Sequence, residues 1–134
     1  MKIEFLPTPE FAKAVKHLKK KYRSISNDLK EFEAKFEKNP EVGDDLGNGF
    51  RKIRIKITSK GCGKSGGGRV ITYEMYVRTI DNEDVKGILL VDIYDKSEQE
   101  SITENRYLSL VKDFLKDNEN GFFDDESKQE APQA

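Results

Sequence analysis

Lys52-Ile53-Arg54-Ile55-Lys56-Ile57 alternates cation and isoleucine, and no other stretch constrains the fold as strongly. Period-two alternation marks a half-buried strand, because successive side chains leave a strand on opposite faces. The isoleucines must therefore meet a core, while Lys52, Arg54 and Lys56 form an outward row of positive charge. From Phe50 to Arg69 the chain holds seven Lys or Arg and no Asp or Glu. Five glycines between Gly61 and Gly68 then lead into a second strand that opens on Arg69. Cations in a row on a rigid sheet suit the binding of phosphates.

The remaining pattern places this sheet among helices. Met1 to Leu6 reads as a first strand. Thr8-Pro9-Glu10 supplies an N-cap, a proline at the first helical position and an acid in the first turn, and Phe11, Val15, Leu18 and Tyr22 follow at helical spacing. Ser24 or Ser26 caps a second helix with Ile25, Leu29, Phe32 and Phe36 inward; Asn39-Pro40 ends it, since a residue before proline is pushed from helical geometry. Glu41 to Gly49 reads as a loop. Strands are expected over Phe50–Thr58, Arg69–Arg78 and Val85–Tyr94, with Asp81-Asn82-Glu83-Asp84 as a turn. The consecutive apolar run Ile88-Leu89-Leu90-Val91 predicts a central strand covered on both faces. A last helix from Thr103 or Glu104 would turn Leu108, Val111 and Leu115 inward. The expected fold is α+β, in the order β-α-α-β-β-β-α, with helices on one face of an antiparallel sheet. Residues 1–117 form the domain and 118–134 an acidic flexible tail.

The 134 residues suffice for one modest core. With 35% apolar and 37% charged residues, the chain reads as polar and soluble, lacking an apolar run of membrane-spanning length. MKIEFLPTPEF has no signal-peptide core, which points to the cytoplasm. Cys62 and His17 are the only residues of their kinds, which excludes an intrachain disulfide, a cysteine-based metal site and most zinc chemistry. The net charge of −1 hides an asymmetry: nine cations to four acids over Phe11–Lys38, five cations to eleven acids over Asp95–Ala134.

Gly63-Lys64-Ser65 is not a P-loop: the required glycine five positions earlier is Thr58, and a strand rather than a helix follows. The glycines either serve a plain hairpin connection or let backbone N–H groups approach a phosphate. His17 reads as a surface or helix-contact residue, and nothing beside Cys62 argues for catalysis. Tyr73 and Tyr76 could stack on bases, although tyrosines in a sheet more often pack.

Phe50-Arg51-Lys52-Ile53-Arg54, Gly63-Lys64-Ser65-Gly66-Gly67-Gly68-Arg69-Val70-Ile71 and Ile93-Tyr94-Asp95-Lys96-Ser97 together resemble the RelE/ParE superfamily of toxins, and most of all its RelE/HigB-like branch. The resemblance covers roughly Phe5 to Lys116. It implies a RelE-like fold and the toxin of a bacterial type II toxin–antitoxin system. Such a toxin is a metal- and cofactor-independent endonuclease that cuts mRNA in the ribosomal A site, restrained by a cognate antitoxin. The implied reaction is attack of a ribose 2′-OH on the adjacent phosphate, which needs stabilisation of phosphoryl charge and proton transfer at both ends. Arg69 matches the family's phosphate-stabilising arginine, and Lys52 and Arg54 its basic strand positions, making these three the candidate catalytic residues. Arg51, Lys56, Lys64 and Lys96 are candidate RNA or phosphate contacts. Lacking a histidine there, the site would use Lys52 or Lys56 as base, since clustered cations lower a lysine's pKa. A ParE-like gyrase poison and a non-catalytic nucleic-acid- or protein-binding module of the same fold are the alternatives.

Overall fold

Thr8 begins the first helix: its side chain accepts the Phe11 N–H at 3.1 Å, with Pro9 in the first turn and Lys19, Lys20 and Lys21 in the last. These placements satisfy an orphan donor and match the helix dipole. In the computed structural model, which describes residues 2–61, 67–78, 81–98 and 104–118, this helix is α1, Pro9–Lys21; α2 is Ile25–Lys38 and α3 is Glu104–Asp117. The strands are β1 (Lys2–Pro7), β2 (Asp44–Gly47), β3 (Phe50–Ile55), β4 (Gly68–Arg78) and β5 (Asp84–Asp95). Among the described residues no helix is long and apolar enough to cross a membrane. The acidic tail expected from 118 onward lies, past Asn118, outside the described residues.

The α+β class holds, with three corrections to the expected architecture. First, the sheet is mixed. Its order is β1-β5-β4-β3-β2, and β1 runs parallel to β5, with Lys2 opposite Val85 and Pro7 opposite Leu90; the other pairings are antiparallel. Second, the stretch read as a loop contains β2. Gly47 pairs with Phe50 across Asn48-Gly49, and both turn residues have positive φ, 54° and 89°. Asn-Gly is the dipeptide that favours a two-residue hairpin turn of this hand, so the signal was present in the sequence. Third, helices cover both faces. The hairpin of α1 and α2 packs Phe11, Leu18, Ile25, Phe32 and Phe36 on Ile53, Ile55, Ile57, Val70, Ile88, Leu90 and Ile93. On the other face, α3 sets Tyr107 and Val111 against Leu6, Phe50, Ile71, Leu89, Val91 and Tyr94. Its inward stripe is Tyr107, Leu110, Val111, Phe114 and Leu115, whereas Leu108, expected inward, is exposed.

A β-bulge decides which β5 residues meet which helices. Ile71 pairs with Asp92 and Thr72 with Leu90, leaving Val91 as an extra residue. One inserted residue reverses the in–out alternation beyond it. Ile88 and Leu90 therefore share the hairpin face with Ile93, while Leu89, Val91 and Tyr94 take the α3 face. The Thr8 hydroxyl is shared between the carbonyls of Leu90 and Val91, at 3.1 and 3.2 Å, so the bulge is tied to the start of α1.

Two buried carboxylates fasten the chain just before the glycine-rich segment. Asp28 accepts from the Thr58 N–H at 3.0 Å, the Thr58 hydroxyl at 2.6 Å and the Ser24 hydroxyl at 2.6 Å. Ser24, expected as the N-cap of α2, spends its side chain there and on Ser59 instead of capping. Asp95 accepts from Tyr22 Oη at 2.6 Å, Lys60 Nζ at 2.8 Å, and Ser97 N and Oγ at 3.0 and 2.9 Å. The short turn Thr58–Lys60 is thereby clamped to α2 and to the end of β5.

Candidate nucleic-acid interface

Alternation fixes which predicted site residues share a face. On β3, Phe50 belongs to the α3-side core and Ile53 and Ile55 to the hairpin-side core, so Lys52 and Arg54 point to the α3 side. Arg54 lies directly opposite Arg69 on β4, and Arg69 opposite Tyr94 on β5. Lys52, Ile71 and Asp92 form the next row. The three candidate catalytic residues thus lie on one patch of one face.

Their exposure differs. Arg54 is open to solvent and Lys52 half-buried, but Arg69 is only 6% exposed. The Arg69 guanidinium donates to the Gly68 carbonyl at 3.0 Å and acts on Tyr94, where it opposes an upward shift. It forms the inner end of the row rather than its outer surface.

Lys52, Arg54 and Lys56 make no ion pair among the described residues, whereas Arg51, Lys60 and Lys86 each have an acidic partner. Arg51 stands apart from the patch: alternation sends it to the hairpin side, where it donates to the Glu41 carbonyl at 3.0 Å and approaches Asp45 at 3.9 Å. Lys56 follows the end of β3 and is exposed. Lys96 is exposed at the end of β5, and its N–H donates to the Gly67 carbonyl at 3.1 Å, which puts it at the same end of the sheet as Arg69. Lys64 and Cys62 lie outside the described residues.

Behind the cations is a group that composition and periodicity did not single out. Asp92, carried to the α3 side by the bulge, sits under Tyr107, whose hydroxyl donates to it over a long 3.4 Å. Burial raises the Asp92 carboxyl above its ordinary value, although the Ile93 N–H, the Tyr107 hydroxyl and Arg106 act the other way. Burial also raises Tyr94, with Asp92 adding and Arg69 subtracting. Tyr107 is driven well above the usual phenol range by burial, then by Asp92 and Tyr94. The arrangement offers outer cations without ion pairs among the described residues and a desolvated carboxyl beside them.

The sheet tyrosines separate. Tyr73 packs on Phe50 with ring centroids 5.0 Å apart, while Tyr76 is 66% exposed under the Lys86 ammonium. His17 is a surface residue of α1, 3.8 Å from Glu98. Among the described residues, no three His, Cys, Asp or Glu come together as metal ligands would. No known family model matches the chain.

Gly67 holds β3 and β4 close at the end of the patch. A Cβ there would stand 2.3 Å from the Ile55 carbonyl oxygen, a backbone atom that cannot rotate away. Gly61 has positive φ, 75°, but among the described residues nothing lies within 4 Å of a Cβ placed there. Gly67→Ala should therefore cost about 3 kcal/mol, the upper end of overpacking penalties, and Gly61→Ala about 1 kcal/mol. Denaturant midpoints at equal slope measure the difference, and equal losses would contradict the close approach.

Proposed function

We propose that this chain is a RelE-like toxin of a bacterial type II toxin–antitoxin system, a ribosome-dependent mRNA endonuclease that halts translation. The observation that carries the reading is the row Lys52, Arg54 and Lys56: three cations on β3 and its extension without acidic partners among the described residues, the first two beside Arg69. Cations on a rigid face raise the local potential for an anion, and an RNA backbone supplies a run of phosphates. In this reading Arg54 holds the backbone, and Arg69 adds positive field from beneath the scissile phosphate. Lys52, half-buried in the row, is the group placed to take the 2′-OH proton. Lys96 extends the surface toward the next phosphate. The mRNA in the ribosomal A site is the substrate, and a cognate antitoxin is the restraining partner.

The burial of Arg69 favours a second reading, a non-catalytic binding module that keeps the sheet and the exposed cations. Induction of the chain alone, followed by mapping of mRNA 5′ ends, tests both. New ends within translated codons, together with translation arrest, are expected of the endonuclease. Intact message and unhindered growth would leave the binding module, and a DNA-damage response without message cuts would indicate a ParE-like gyrase poison.

A further inference from the structure

β2 covers β3 only from Phe50 to Lys52, yet extended backbone continues to Ile57, at φ −106° and ψ 99°. From Ile53 onward, β4 lies on one side and, among the described residues, no strand lies on the other. Gly43 closes over Ile53, where a Cβ would meet Ile53 Cγ1 and the Lys52 carbonyl at 2.7 Å. The open edge therefore runs from Arg54 to Ile57, about 13 Å long. A groove of about 190 Å³ lies between this edge and α2, with Phe32, Val42, Ile53 and Ile55 among its lining residues. The Asp28 carboxylate at its end is already taken up by Thr58 and Ser24. Arg54 and Lys56, also on its lining, are exposed and without ion pairs among the described residues.

An open edge presents alternate N–H and C=O groups as a template for a further strand. A second copy of this chain is a poor occupant, because antiparallel pairing of two such edges would bring Arg54 and Lys56 against themselves, and like charges across a pair destabilise it. The geometry points to an extended acidic segment of another protein, added to β3 as a sixth strand. Its acids would meet Arg54 and Lys56, and its apolar residues would enter the groove beside Phe32 and Val42. Such a strand would neutralise the outer cations of the row, which makes the edge a regulatory surface. The pairing itself does not depend on RNA cleavage.

A peptide of about eight residues alternating glutamate and valine, titrated onto the full isotope-labelled chain, tests this. Expected are binding with slowed amide exchange at Arg54 and Lys56, whose N–H groups face the open edge because the Ile55 carbonyl and the Ile57 N–H turn toward Gly67, and affinity weakened about tenfold or more by the double reversal Arg54→Glu and Lys56→Glu. The same peptide N-methylated at alternate backbone positions keeps its charge but cannot form a ladder, so it should not bind. Equal binding of the N-methylated peptide would overturn strand addition in favour of simple ion attraction. Protection appearing elsewhere, or binding unchanged by the charge reversal, would also overturn it. The readout is binding alone, so the absence of cleavage by this chain would leave the result intact, and failure of the peptide to bind would leave the cleavage reading standing.

Discussion

Asp95→Ala should destabilise the fold by about 3–5 kcal/mol, the usual loss when one partner of a buried ion pair is removed. The Asp95 side chain has no exposed surface and the Lys60 side chain is only 14% exposed, so deletion removes a carboxylate from beside a mostly buried ammonium. Tyr22 and Ser97 lose their acceptor in the same step. For a domain of this size the fall in Tm is about 10–20 °C. Burial alone would raise the Asp95 carboxyl, but Lys60, Tyr22 and the Ser97 N–H and hydroxyl more than offset it, holding it well below the carboxylate range. A depressed folded-state pKa gives stability that is fully present above the unfolded value, about 3.9, and lost as pH falls through the folded value. The natural chain should therefore lose stability below about pH 4, and Asp95→Asn should flatten that acid limb. Thermal melts from pH 7 to pH 2 measure both effects, and an unchanged acid limb in Asp95→Asn would remove the clasp from the account.

If the proposed endonuclease reading holds, Arg69→Ala should lower translation-dependent mRNA cleavage by about 10²–10³-fold, the range for losing one preorganised charge that stabilises a transition state. Its position opposite both Arg54 and Tyr94 sets it at the inner end of the cation row. Its burial also means that the melting temperature must be measured alongside. Arg69→Lys retains the charge but not the planar fork, and should recover part of the activity. Undiminished cleavage by a folded Arg69→Ala variant would sink the catalytic role and leave Lys52 and Arg54 to carry the chemistry.

Local features of this fold were legible because their causes are local. The N-cap at Thr8 and the stop at Asn39-Pro40 follow from side chains and φ restrictions within a few residues. The inward isoleucines of β3 follow from period two, and the doubly covered run in β5 from its uninterrupted apolar residues. Asn48-Gly49 carries an equally local signal, but the stretch reads as a loop from composition, and its hairpin emerges only in the structure. The stripe on α3 could be read in two registers: Leu108-Val111-Leu115 fits helical spacing, but so does Tyr107-Val111-Phe114, and only the sheet opposite distinguishes them.

For the candidate site, composition and alternation determined that Lys52, Arg54 and Lys56 form an outward row, and that acids are absent from Phe50 to Arg69. They did not determine that Arg51 faces the other way into contacts with Glu41 and Asp45, that Arg69 is buried, or that Lys60 is taken by Asp95. The parallel placement of β1, the parity reversal at Val91 and the arrival of Asp92 beneath Tyr107 were likewise tertiary outcomes. Each depends on pairing between residues tens of positions apart, and a single chain carries no local periodicity for the direction of a distant neighbour or for one inserted residue. Charge and alternation are properties of the chain; which charges remain unpaired is a property of its packing.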